Sequence, residues 1–347
     1  MRIVSVGRAL PGNHYDQEEL LAALAKLWAG RFHNPARLAQ IQRNALVGGR
    51  HLALPIEAYE TLRGFGAANA AFLRCGLELG ERAIRDALAG AALEPSAVDA
   101  IFSLSVTGVA APSLDARLAN RLGLRSDVKR TPIFGLGCVG GAAGIARAAD
   151  YLRAFPRETA LVLSVELCSL TLQRDDASMA NVIASGLFGD GAAAAVLRGA
   201  GAAGSGPRIL ATRSVFYPHT EDVMGWEVGD GGFRVVLSAD VPRIAGGLRP
   251  EVDKFLAEQG LALADVGVFV CHPGGPRVLE AIERSLSLAP DALARSWEHL
   301  ARVGNLSSAS VLFVLGDALA EPHAPGTVGL LLAMGPGFCS ELVLLQW

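Results

Sequence analysis

Strand-like apolar runs alternate with long helical patterns along almost the whole chain, and that alternation restricts the fold to the α/β class. The runs are short and bounded by Gly, Pro or charge: Ile3 to Val6, Ala100 to Val106, Pro132 to Leu136, Ala160 to Val165 and Ala192 to Leu197. Between them lie helical patterns near Gln17 to Leu27, Ala58 to Leu88, Pro112 to Leu122, Val139 to Phe155 and Ala177 to Leu187. Such unbroken apolar runs predict a mainly parallel sheet covered on both faces.

The stretch Arg198 to Pro207 is small, Gly-rich and almost uncharged, as a linker or exposed loop would be. Beyond it the order resumes, with strands near Ile209 to Val215, Phe233 to Leu237, Val266 to Cys271, Val328 to Met334 and Glu341 to Leu345. Helices are predicted near Val241 to Gln259, Pro276 to Leu286, Asp291 to Val303 and Ser307 to Leu319. The two halves, 1–200 and 208–347, rhyme in the order of their elements rather than in residue identity. Each has a strand ending in a loop, then a helix start carrying a polar or reactive residue, which points to duplication.

Those helix starts carry the chemistry. In Ile133 to Ile145 an apolar strand ends in glycines and a helix begins at once, with Cys138 on the bend. A thiol at a helix N-terminus meets free N–H groups and the positive end of the macrodipole, which predicts a lowered pKa and a nucleophile. In the second half His272 stands where the run Val266 to Cys271 gives way to Pro273-Gly274-Gly275, and Asn305 follows Gly304 ahead of an apolar helix. A cysteine, a histidine and an asparagine thus each sit at the end of a rigid element, where binding and catalytic groups are positioned.

Composition narrows the function classes. The chain has 347 residues, 51% hydrophobic and 19% charged, with net charge −3, so a large core is available and no basic block invites nucleic acid. No apolar stretch is long enough to span a bilayer, and the N-terminus reads as a first strand, not a signal peptide. The five cysteines form no Cys-x-x-Cys pair, which argues against a metal site and a disulfide framework and for a reducing cytoplasm.

Five motifs then fall in one familiar order: Gly137-Cys138-Val139-Gly140-Gly141, Leu187-Phe188-Gly189-Asp190-Gly191-Ala192, His272-Pro273-Gly274-Gly275-Pro276, Gly304-Asn305-Leu306-Ser307-Ser308-Ala309 and Gly335-Pro336-Gly337. With them the chain resembles, from end to end, a type III polyketide synthase of the chalcone and stilbene synthase family. The resemblance implies a thiolase-like fold of two duplicated α/β halves in five layers, αβαβα. It also implies a homodimer that takes acyl-CoA and malonyl-CoA directly, with coenzyme A thioesters as substrates and no permanently bound cofactor.

By the same resemblance Cys138 matches the acyl-accepting nucleophile, His272 the histidine that holds the thiolate and assists malonyl decarboxylation, and Asn305 the amide at the thioester carbonyl. Phe188 matches a gating phenylalanine, Thr171 a cavity-shaping position, and Cys168 lies beside it. Val235 stands in place of a second gating phenylalanine, and Ala111 where plant members place a methionine that reaches into the partner subunit. Both changes remove bulk, and the space opened at Val235 favours a long or flexible acyl starter; the stretch Met224 to Phe233 also resembles bacterial members that make alkylpyrones or alkylresorcinols. A tetrahydroxynaphthalene, or a single condensation of the β-ketoacyl synthase III type, is the alternative. Arg43 and Arg50 fall where family members meet the coenzyme A phosphates.

The remaining polar residues have plainer readings. Gly189-Asp190-Gly191 reads as a turn before a strand, and His219 and His299 as solvated or core histidines. Cys75, Cys271 and Cys339 read as small packing residues. A non-catalytic scaffold that binds acyl-CoA is a third reading, which the intact Cys138, His272 and Asn305 oppose.

Overall fold

The computed structural model describes residues 1–29 and 35–347. Its strands are β1 (Arg2–Ala9), β2 (Asn13–Asp16), β3 (Gly49–Leu52), β4 (Ala100–Leu104), β5 (Lys129–Ile133), β6 (Thr159–Leu167), β7 (Asp190–Arg198), β8 (Arg208–Phe216), β9 (Met224–Gly229), β10 (Gly232–Leu237), β11 (Val266–Cys271), β12 (Val328–Gly335) and β13 (Cys339–Gln346). The helices are α1 (Gln17–Leu27), α2 (Pro35–Arg43), α3 (Gly64–Gly90), α4 (Leu114–Leu122), α5 (Gly140–Ala154), α6 (Met179–Leu187), α7 (Val241–Ala245), α8 (Arg249–Ala257), α9 (Pro276–Leu286), α10 (Ala294–Val303) and α11 (Ser310–Ala320).

Nine strands join in the order β11-β12-β13-β8-β1-β7-β6-β4-β5. The join between β8 and β1 is slight, a single Arg2–Arg208 pair with Ile3 N donating to Pro207 O at 3.1 Å and Ile209 N to Met1 O at 3.2 Å. On either side the pairing pattern is the same. β4 runs parallel to β6, β6 antiparallel to β7 and β7 antiparallel to β1; β11 runs parallel to β12, β12 antiparallel to β13 and β13 antiparallel to β8. The duplication is therefore visible as a repeated pairing sequence, with β5 added at one edge.

Antiparallel pairs outnumber parallel ones, which corrects the expectation of a mainly parallel sheet. Continuous apolar runs report burial on both faces and say nothing of direction. Three buried clusters show where the covering layers lie. One gathers α5 and α11 with the inward faces of both halves; a second packs α3 and α4 on β4, β6 and β7; a third packs α7, α8, α9 and α10 on β11, β12 and β13. The result is five layers, helix, sheet, helix pair, sheet, helix.

The run Phe233 to Leu237 is a strand, but it belongs to a separate hairpin, β9 with β10, outside the main sheet. Two predicted helices are also broken. Gly246 and Gly247 divide Val241 to Gln259 into α7 and α8, and Thr61 to Arg63 separates a short 3-10 turn, Ile56–Glu60, from α3.

The central helix pair sets the geometry of the site. Its α5 begins Gly140-Gly141-Ala142-Ala143-Gly144, and a Cβ at Gly141 would lie 2.2 Å from Ser308 O and 2.6 Å from Val311 Cγ1. Only a bare backbone lets the starts of α5 and α11 come this close. Since Cys138 precedes α5 and Asn305 precedes α11, the same contact draws residues of the two halves together.

Candidate active site

Cys138 lies in a short 3-10 turn, Gly137–Val139, between β5 and α5. The turn depends on Gly137, whose φ is +52° and whose Cβ would stand 2.6 Å from Pro336 Cδ. From there the thiol points at the other half: Cys138 Sγ is 3.8 Å from Ser307 Oγ, and the Asn305 amide also faces it.

Asn305 is fixed by its backbone and by its own amide. Its N–H donates to Leu187 O at 2.9 Å and its carbonyl accepts from Gly189 N at 2.9 Å, forming a parallel bridge with Phe188. Oδ1 accepts from Ser307 N at 2.7 Å, a turn that carries Ser307 into a left-handed conformation with φ +49°. That bond leaves Nδ2 as the outward donor, held only by a long 3.3 Å contact to Gly274 O. Gly274 belongs to the loop of His272, and its N–H donates to His272 O at 2.9 Å.

His272 extends β11, with its N–H on Leu332 O at 2.8 Å. The side chain is 4% exposed, yet neither ring nitrogen has a hydrogen-bond partner among the described residues. Buried polar atoms without partners are rare, and here the orphaned atoms are those a proton carrier would use. Burial pushes the imidazole down to about 3.

The thiol departs from the sequence expectation. Burial pushes Cys138 up to about 12; the Ser307 hydroxyl opposes this, the Glu166 carboxylate adds to it and the Asn305 amide opposes it. A helix start alone does not make this cysteine a resting thiolate. Burial thus works against the thiolate and against the imidazolium when each is charged alone, whereas formed together the two charges offset one another, which couples the activation of Cys138 to His272.

Sequence reasoning missed a buried polar network behind the thiol. Glu166 Oε2 accepts from Thr107 Oγ1 at 2.8 Å and Val106 N at 3.1 Å, while Oε1 takes a short hydrogen bond from Ser308 Oγ, itself 2.7 Å from Ser164 Oγ. Burial raises Glu166 to about 7 against the pull of those donors. The available signal was a lone carboxylate inside the apolar run Thr159–Leu167, which the sequence reading ended at Val165.

A cavity of about 580 Å³ adjoins this centre. Phe188, Thr171, Cys168 and Val235 line it, whereas Cys138, His272 and Asn305 do not. The link is Phe188, which faces the cavity and pairs through its backbone with Asn305. Opposite Val235 in the hairpin stands Trp226, also on the cavity wall, so bulk absent at 235 is present on its cross-strand partner. Leu20, Leu24 and Leu27 of α1 line the cavity too, and the exposed Lys26–Glu60 ion pair, 2.6 Å, marks its outer end.

The two arginines separate. Arg43 is exposed and gives Nε and Nη2 to the Glu18 carboxylate at 2.9 and 3.0 Å, so a phosphate there would have to displace Glu18. Arg50 is 3% exposed, with Nη1 donating to Ser185 O at 2.6 Å and Phe188 O at 2.8 Å, and it lines the cavity. Its guanidinium is turned inward, away from solvent. Ala111 is exposed, as are two large apolar residues, Val109 at 39% and Phe134 at 53%.

Among the described residues no group of three or more His, Cys, Asp or Glu side chains could hold a metal ion. No helix there is long and apolar enough to cross a membrane.

Two family models match the chain, the N-terminal domain of chalcone and stilbene synthases over residues 2–202 and the C-terminal domain over 208–347. The chain is 53% identical to a 1,3,6,8-tetrahydroxynaphthalene synthase from Streptomyces peucetius, over 99% of this chain and 93% of the relative. It is 34% identical to a phloroglucinol synthase from Pseudomonas fluorescens, over 97% and 96%. The crystal structure of the tetrahydroxynaphthalene synthase from Streptomyces coelicolor, a bacterial type III polyketide synthase, superposes with a TM-score of 0.95 at 33% identity, covering 100% of this chain and 99% of that one.

Proposed function

Since the chain belongs to the chalcone and stilbene synthase family, the type III polyketide synthases, we propose that malonyl-CoA serves it as both starter and extender and that its product is a tetrahydroxynaphthalene. The observation that carries this reading is the 53% identity, along nearly the whole chain, to an enzyme named for that product. A naphthalene skeleton can be assembled wholly from two-carbon malonyl-derived units, so no second acyl-CoA is required. This reading displaces the alkylpyrone or alkylresorcinol suggested by Val235 and by the stretch Met224 to Phe233, because Trp226 restores bulk beside Val235.

In the proposed mechanism His272 takes the Cys138 proton and the thiolate attacks the thioester carbonyl of malonyl-CoA. The tetrahedral adduct collapses, and coenzyme A leaves with the proton. A second malonyl-CoA then loses carbon dioxide, and its electron pair becomes an enolate. Asn305 Nδ2, held by only a 3.3 Å contact, exchanges Gly274 O for the enolate oxygen, with the imidazole as second donor. Each such donor contributes about 3 kcal/mol where charge develops. The enolate carbon attacks the Cys138 thioester, the C–S bond breaks and the thiolate returns for reloading; the starter malonyl also loses its free carboxyl as carbon dioxide before the rings become aromatic, so that every unit supplies two carbons. The cavity beside Phe188 receives the growing chain.

Single condensation on a carrier protein is set aside by the family assignment. The second reading that an observation favours is an acyl-primed alkylpyrone, since the cavity extends between Val235 and the leucines of α1. Incubation with malonyl-CoA alone, followed by mass spectrometry, separates the two: tetrahydroxynaphthalene supports the first, and product only on addition of an acyl-CoA supports the second. The proposal includes a homodimer, supported by the exposed apolar residues Val109 and Phe134, and a reducing cytoplasmic location, supported by five unpaired cysteines.

A further inference from the structure

Helix α10 buries Ser296, His299, Leu300 and Val303, the i, i+3, i+4, i+7 stripe that an apolar helix face would occupy. Two of the four are polar, and both are 0% exposed. Burying a hydroxyl and an imidazole is costly unless hydrogen bonds compensate. Ser296 Oγ donates to the carbonyl of Cys271, the residue before His272, at 2.6 Å. One turn on, His299 Nε2 and Ser310 Oγ are hydrogen-bonded at 3.0 Å, and the ring packs on Phe313 with centroids 5.4 Å apart. The same Ser310 oxygen accepts from the N–H of Leu306, the residue after Asn305, at 2.7 Å. One helix face is thus tied both to the strand end that carries His272 and to the turn that follows Asn305. Burial pushes the His299 imidazole down to about 3 and the His272 ring adds to this, so the two rings lie within electrostatic reach.

The turn at 306–309 decides where the Asn305 amide points. Backbone bonds to Leu187 and Gly189 fix the main chain of Asn305 but leave its side chain free to rotate. The side chain is set by Oδ1, which accepts from Ser307 N at 2.7 Å, and Ser307 holds a left-handed φ of +49° that is uncommon for serine unless its surroundings impose it. From the first half Glu166 grips this turn through Ser308 Oγ. From the second half Leu306 N meets Ser310 Oγ. A serine hydroxyl has three rotamers, and the bond to His299 selects the one that meets Leu306 N.

We propose that His299 and Ser310 are positioning residues for Asn305: their hydrogen bond fixes the turn whose Ser307 N–H holds Asn305 Oδ1, and so aims Nδ2 at the enolate oxygen. The proposal rests on the decarboxylating reaction assigned to His272 and Asn305 and deepens it. Activation of Cys138 depends instead on His272, which the pairing of its N–H with Leu332 O and the Ser296 bond to Cys271 O hold independently. The pair therefore governs decarboxylation and not the reactivity of the thiol.

Two rates separate these steps: carbon dioxide release from malonyl-CoA, and alkylation of Cys138 by iodoacetamide, read by peptide mass. His299→Phe keeps a ring beside Phe313 and deletes the hydrogen bond, Ser310→Ala removes its partner, and His299→Gln can still bond Ser310 through its amide. Both deletions are expected to lower kcat for decarboxylation by about tenfold to a hundredfold at unchanged KM, the effect of displacing a reacting group by about 1 Å. Cys138 should be alkylated at the wild-type rate in both. The double variant should lose no more than the worse single one, because both delete the same link, and His299→Gln should recover most of the rate. Unchanged kcat, an equal loss of alkylation, additive losses, or no advantage of Gln over Phe overturns the proposal. If His299→Phe does not fold, as its thermal midpoint would show, Ser310→Ala decides by the same two rates. Wild-type enzyme that releases no carbon dioxide from malonyl-CoA would instead overturn the reaction assigned to His272 and Asn305, and the role of the pair with it.

Discussion

At the residue scale burial works against the charged form of Cys138, His272 and Glu166 alike. Cys138 and His272 were legible because each ends a regular element in a Gly-rich context, and Asn305 for the same reason. Their electrostatics were not, since a helix start is visible in sequence and the burial that opposes it is not. Glu166 shows the same gap. It reads as one polar residue in a strand, and only packing turns it into a fully buried carboxyl raised to about 7. Because its folded value lies above its ordinary 4.5, the native state holds the proton more tightly than the unfolded chain does. That stabilisation is complete below pH 4.5 and is lost as pH rises to about 7, a change on the order of 3 kcal/mol. Urea unfolding of wild type and Glu166→Gln across this window should therefore give converging or crossing stabilities, with wild type losing ground as pH rises. Parallel profiles would contradict the assignment.

At the scale of elements the close contact of α5 and α11 decides where the thiol can go. The glycines were read as marking a strand-to-helix bend, but their second use, admitting another helix, depends on a partner far away in sequence. Gly141→Ala puts a methyl into Ser308 O and Val311, and overpacking of this kind costs about 1–3 kcal/mol or more. Gly66 in α3 is a matched control, because a Cβ there meets nothing within 4 Å. Gly66→Ala should stabilise by roughly 0.5–1 kcal/mol through helix propensity. Thermal midpoints that move in the same direction for both variants would show that the central helices are not packed as described. The hairpin of β9 and β10 teaches a related lesson. In the sequence Val235 signals open space, whereas the cavity is shaped by the pair it forms with Trp226.

At the scale of the whole molecule the alternation of runs and helical patterns, and the Gly-rich midpoint, were enough to reach two similar halves. Strand direction was not legible, because burial on both faces produces the same apolar runs in either sense. What remains beyond one chain is the partner: light scattering should give twice 36.1 kDa, and a monomer at micromolar concentration would refute the homodimer. The central claim concerns chemistry, that this chain builds its product on Cys138 from malonyl-CoA without another starter. The most direct measurement is mass spectrometry of the products formed from malonyl-CoA alone by wild type and by Cys138→Ala. Tetrahydroxynaphthalene from wild type and none from the variant is the expected result; a wild type that needs an added acyl-CoA, or a variant that still makes product, would contradict it.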